Sequence, residues 1–219
     1  MMYGNPSYDT VECIKNSILL PEWSRLGVFM ELKDIPYPDE TETQEELRHL
    51  LELQKTVDTP RLEYIKRVDK ELYDVMSQFL ETYGVTASAE EIKQQLEIYA
   101  PVIEYIKVIY NRPRPFQTAG AYGIPLYPLL DSTSAGSASY PGGHVLLALF
   151  FRHIYMKSHP ELSKDLMLFV LDVKKTREEG GVHYPSDGLF SLHIYKHLAP
   201  WIDARTTIYS QGLDKLNGY

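Results

Sequence analysis

A chain of 219 residues with 44% hydrophobic content is long enough to bury a real core and short enough to favour one domain. Its 22 basic against 30 acidic residues give a net charge of −8, which argues against a protein that coats nucleic-acid polymers, since those carry a basic excess. The single cysteine, Cys13, excludes an intramolecular disulfide framework and fits a reducing compartment.

Residues 1–42 read as an irregular, proline-dotted extension packed on a helical domain of residues 43–219. Residues 1–10 carry no basic region and the apolar run Ile18-Leu19-Leu20 is stopped by Pro21, so the chain is expected to be cytoplasmic. The first predicted helix covers 44–56, with Leu47, Leu50, Leu51 and Leu53 on one face. Pro60 opens a second over 61–83, where Leu62, Ile65, Val68, Leu72, Val75, Met76 and Phe79 recur at three- and four-residue spacing until Gly84. Ser88 and Glu91 form a capping-box pattern that opens a third, running to Tyr110 with a kink expected at Pro101. Residues 116–140 are rich in Gly, Ser, Pro and Tyr and read as the rim of a site. Helix resumes at Gly143, with further helices expected over 161–178 and 186–197 and a short one after Pro200. The apolar runs 145–151 and 166–171 fall well short of the roughly 18–20 residues that cross a bilayer, so no membrane partner is expected. The fold class this predicts is all-α.

Three clusters carry chemistry. Lys107 is followed after six residues by Arg114-Pro115; Pro141-Gly142-Gly143-His144 comes next; Thr176-Arg177 is then followed by His183 and Asp187. Together they supply three cations, two imidazoles, a carboxylate that can orient one of them, and glycine amides at a helix start where an anion is favoured. That set suits phosphoryl transfer. Singly, each residue has a plainer reading: His183 and Asp187 as a helix cap, Lys107 and Arg114 as solvated cations, the glycines as a turn, His144 as a buried, satisfied histidine. At ordinary frequencies each cluster arises by accident in roughly 2–3% of chains this long, so the triplet is what signifies. His49, His153, His159, His193 and His197 match no motif and are read as structural. A metal held by His183, Asp187 and His144 is disfavoured beside Lys107, Arg114 and Arg177, and no metal is expected.

The triplet, with Asn111-Arg112-Pro113-Arg114-Pro115 and Gly181-Val182-His183-Tyr184-Pro185-Ser186-Asp187 around it, resembles the signature of the type 2 phosphatidic acid phosphatase superfamily. This superfamily includes class A bacterial acid phosphatases, membrane lipid phosphatases and vanadium haloperoxidases. The resemblance implies a single-domain helical bundle and a metal-independent phosphatase acting on a small soluble phosphate ester, a nucleotide being one candidate. It implies His183 as nucleophile, Asp187 as its orienting carboxylate, His144 as acid and base, and Lys107, Arg114, Arg177 and the Gly143 amide as phosphate ligands. Gly142 stands where the family carries serine, removing one hydroxyl worth roughly 1.5–3 kcal/mol, with Ser137, Ser139 and Tyr140 as nearby substitutes. Thr176 replaces a serine and keeps a hydroxyl, while Glu178 and Glu179 either steady Arg177 or compete for it.

No cofactor is expected for the phosphatase, with vanadate an inhibitor; in a haloperoxidase of this constellation vanadate is the cofactor. A non-catalytic phosphate-binding protein is the third alternative. Tyr122, Tyr127 and Tyr140 either stack on a nucleobase or pack the loop. Related soluble phosphatases often form oligomers, so a homodimer is the expected assembly.

Overall fold

The computed structural model describes residues 35–216, and among them every regular element is helical. Most of the 1–42 extension therefore lies outside the described residues. Helix α1, Glu40–Gln54, starts earlier than the leucine spacing suggests because Asp39 and Glu42 form a capping box. The single helix expected over 61–83 is two, α2 (Thr59–Lys70) and α3 (Leu72–Glu81), broken at Glu71 by φ −131° and ψ 40°. No glycine or proline marks that break. The third predicted helix is likewise two: α4 (Ala89–Glu97) opens with the expected Ser88–Glu91 box, and Pro101 sits in the first turn of α5 (Ala100–Tyr110) rather than at a kink.

After the one-turn α6 (Pro115–Thr118) and two 3₁₀ turns, α7 spans Gly143–Ser158. It buries Val145, Leu146, Ala148, Leu149, Phe150 and Phe151, too many for one face, because it is the central helix on which α4, α8 (Ser163–Glu179) and α9 (Pro185–Leu216) pack. Leu166, Phe169, Val170 and Val173 of α8 and Phe190, Ile194, Leu198 and Ile202 of α9 complete that core. A smaller cluster joins Leu47 and Leu50 of α1 to Ala119, Leu126 and Tyr184, fastening the first helix beside the third motif. Helix α9 runs unbroken through Pro200, so the short helix expected after that proline is the end of α9. The N-terminus of α7 and the turn between α8 and α9 thus meet at one end of the bundle.

Candidate active site

The segment from Arg177 to Asp187 is two helix-end motifs joined back to back. Helix α8 ends in a Schellman arrangement: the Val182 amide donates to Arg177 O at 3.2 Å and the Gly181 amide to Glu178 O at 2.9 Å, with Gly181 at φ 71°. Glycine is required there twice over, since a Cβ would also lie 3.1 Å from Tyr127 O and 2.5 Å from Gln54 Nε2. Pro185 then opens α9, and Asp187 in its first turn accepts the Tyr184 amide at 2.9 Å, as a capping carboxylate does. The two motifs fix Arg177, His183 and Asp187 relative to one another.

His183 is buried, with Nδ1 3.0 Å from Asp187 Oδ2 and Nε2 2.7 Å from Arg114 Nη1. A guanidinium only donates, so Nε2 accepts; the ring is neutral, its proton sits on Nδ1, and Nδ1–H donates to Asp187. Burial first, and then Arg114, Arg177 and Lys107, hold the imidazole well below the usual histidine range. Burial pushes Asp187 up to about 6, against the pull of Arg112 and the Tyr184 amide.

Lys107 occupies the last turn of α5, whose C-cap Asn111 adopts the left-handed conformation at φ 43°. Arg114, extended before Pro115, donates to Val182 O at 2.8 Å and Ser137 O at 2.8 Å. Lys107 Nζ and Arg114 Nη2 both point to Ser137 Oγ, at 2.6 and 3.5 Å. Burial lowers Lys107 to about 8 and Arg114 to about 10, with the neighbouring cations adding to each effect. Arg177 is fully buried and pairs with Asp69 Oδ1 at 2.7 Å. Gly143, at the start of α7, brings bare backbone against this group: a Cβ there would stand 3.7 Å from Lys107 Nζ. His144 follows, its Nε2 3.3 Å from the Asp69 carbonyl, so that nitrogen carries the proton and Nδ1 is the atom free to gain or lose one. Burial and Arg177 hold it, too, well below the usual range.

Lys107, Arg114, Gly142, Gly143, His144, Arg177, His183 and Asp187 are thus brought together by the fold. Gly142 has ordinary angles, φ −72° and ψ 101°, so conformation does not demand glycine. Space is tight rather than closed: a Cβ would lie 3.3 Å from Val145 Cγ2, which would have to give by a few tenths of an ångström, and 3.4 Å from Ser191 Oγ, a hydroxyl held by the Asp187 and Gly142 carbonyls. Of the nearby hydroxyls, Ser139 donates to Pro113 O and Tyr140 stacks on Phe190, which leaves Ser137 between the two cations. The Thr176 hydroxyl turns back to Val173 O within its own helix. Glu178 pairs with Lys174, and Glu179 with Arg61 and Lys175, so Asp69, rather than either glutamate, holds Arg177. In the rim, Tyr140 is buried and Tyr122 packs beside Leu47 and Tyr184, whereas Tyr127 is 73% exposed. Buried His153 bonds to Tyr195 and Asp203, away from the motif residues.

Sequence reading missed Glu46, Asp69, Ser132 and the part played by Arg112. Ser132 donates to Asp69 at 2.6 Å, and Arg112 donates to Asp187 and Glu46. Asp69 lies on the interrupted apolar helix pattern and Glu46 among the acidic residues of α1, and neither position carries a local signal.

The all-helical bundle has a solved counterpart in fold. The fold is similar to that of a structure described as the first transmembrane PAP2 type phosphatidylglycerolphosphate phosphatase from Bacillus subtilis. The two chains are 16% identical with a TM-score of 0.52, and the match covers 84% of this chain and 95% of that one. At that identity the likeness speaks for the fold. No helix among the described residues is long and apolar enough to cross a membrane. No family model matches the sequence, and no curated protein matches it.

Proposed function

We infer that this protein is a metal-independent phosphatase that hydrolyses a small phosphate monoester through a phosphohistidine on His183. One observation carries the reading: the Nε2 lone pair of a neutral, Asp187-tethered His183 is held against Arg114, with the charges of Arg177 and Lys107 close enough to act on the ring. Lys107, Arg114, Arg177 and the Gly143 amide bind the equatorial phosphate oxygens, and Arg114 leaves Nε2 for an oxygen as substrate arrives. Nε2 then forms a bond to phosphorus as the ester P–O bond breaks. The leaving oxygen takes a proton from His144, which the bound dianion helps to protonate, and Asp187 stabilises the charge now on His183. Water attacks next, giving its proton to His144; the P–N bond breaks, inorganic phosphate leaves and His183 is restored. Ser137 supplies the hydroxyl that Gly142 lacks.

Burial of Lys107, Arg114, Arg177 and His183 favours a small or terminal phosphate over a group on a rigid polymer. We read the substrate as water-soluble and the protein as cytoplasmic, with vanadate acting as a phosphate mimic. The test is hydrolysis of p-nitrophenyl phosphate by the wild type and His183→Ala, with chelator and with vanadate. Expected are activity that resists chelation, inhibition by vanadate, and a loss of at least about a thousandfold in the variant. Activity that survives in His183→Ala, or disappears with chelation, would overturn the reading.

A further inference from the structure

One buried guanidinium of this site stands behind the nucleophile rather than in front of it. Arg112 is 2% exposed. Its Nη1 donates to Asp187 Oδ1 at 2.8 Å and Ser186 Oγ at 2.7 Å, and its Nη2 to Glu46 Oε2 at 3.0 Å. Its face lies 3.8 Å from the Tyr184 ring centroid. Glu46 reaches across from α1 and also accepts the Ser186 amide at 2.6 Å and the Ser186 hydroxyl at 2.8 Å, which ties the start of α9 to the same carboxylate.

We propose that Arg112 is a positioning residue for the reaction, fixing the ring of His183 through the Nδ1–H···Asp187 bond, with Glu46 holding it in that role. The proposal rests on the phosphatase reading. Asp187 Oδ2 is shared by the Tyr184 amide and the Nδ1–H of His183, and Oδ1 is committed to Arg112. Without that second bond only the Tyr184 amide steadies the carboxylate about a soft sp³–sp² torsion, and the acceptor of the His183 proton is less firmly fixed. Lysine keeps the charge but has no planar fork with which to hold Asp187, Ser186 and Glu46 together.

Charge acts in the same direction as geometry. Asp187 faces Arg112 and Arg114 beyond α5, Lys107 on α5, Glu46 on α1, the Tyr140 phenol ahead of α7, and the neutral His183, the Tyr184 phenol and the Tyr184 amide on its own turn. Arg112 is the first influence that opposes burial, and Glu46 adds to it. Loss of the Arg112 charge moves the Asp187 titration up; loss of the Glu46 charge moves it down.

The test compares full-length Arg112→Met, Arg112→Lys and Glu46→Gln with wild type, using p-nitrophenyl phosphate from pH 4 to 9. Arg112→Met is expected to lower kcat by roughly 10–100-fold, leave KM within about threefold, and move the acidic limb up by about one pH unit. Arg112→Lys restores the limb while kcat stays low, and Glu46→Gln moves the limb down. In parallel, ¹H–¹⁵N imidazole NMR, with the His183 signal identified by its absence in His183→Gln, reads the Nδ1–H···Asp187 bond without needing turnover. Wild type is expected to show a protected, downfield Nδ1–H and Arg112→Met to lose or broaden it, which decides the proposal even if wild type hydrolyses no phosphate ester. A folded Arg112→Met that keeps the wild-type Nδ1–H signal overturns the proposal. Should Arg112→Met fail to fold, an unmoved acidic limb in Glu46→Gln does the same.

Discussion

At the scale of single residues, two oppositely shifted groups set the pH range of the proposed chemistry. Asp187, raised to about 6 by burial, must be ionised to stabilise a charged His183. Lys107, lowered to about 8 by burial, must be protonated to bind a dianion. kcat/KM is therefore expected to rise as pH climbs through about 6 and to fall as it climbs through about 8. A bound dianion favours the ammonium, so the upper limb of kcat lies at higher pH than that of kcat/KM. Lys107→Arg removes the upper limb, since guanidinium stays charged, and a steady-state pH series on the variant checks this. The motif residues were legible because each motif is short and its spacing encodes a local geometry. Glu46, Asp69 and Arg112 were not, because what defines them is a partner far away in sequence: Glu46 meets Ser186 across 140 positions. Nothing in the residues around Glu46 distinguishes it from the other acidic residues of an exposed helix face.

Among the elements, the all-helical class and most helix starts followed from periodicity and caps, as at Ser88 and Gly143. The breaks did not. Helices α2 and α3 share one apolar periodicity and separate at Glu71, two residues beyond Asp69, whose carboxylate holds Arg177 and whose carbonyl faces His144. Tertiary partners override propensity there, and a period count has no access to them. The α8–α9 turn is the element on which the site most depends. Gly181→Ala is expected to cost about 1–2 kcal/mol for the left-handed backbone, more if Tyr127 O does not give way, and to reduce kcat because Arg177 and His183 shift relative to each other. Chemical denaturation and steady-state kinetics on the one variant check both halves.

Across the whole molecule, Lys107, Arg114 and Arg177 gathered in one interior carry a cost in stability that an anion relieves. Inorganic phosphate or vanadate at about a hundred times its dissociation constant adds roughly 2.7 kcal/mol, or about 5–10 °C in Tm for a protein of this size. Lys107→Met is expected to raise the ligand-free Tm at pH 7 while diminishing that phosphate-induced rise and the activity. The sign follows from the depressed pKa. The unfolded lysine titrates near 10.4 and the folded one at about 8, so the penalty is fully present below pH 8 and disappears as pH rises towards 10. The advantage of Lys107→Met over wild type should therefore shrink over that interval, which thermal melts at pH 7 and 10 measure.

Two of the carboxylates that hold the cations come from far upstream of the motif residues. Glu46 on α1 and Asp69 on α2 secure Arg112 and Arg177, and Arg61 on α2 neutralises Glu179 beside Arg177. A fragment cut after α2 would retain every signature residue from Lys107 to Asp187 and lose the anchors that keep their charges in place. Minimal versions of this protein, whether for engineering or for transplanting the site onto another scaffold, therefore have to begin upstream of Glu46.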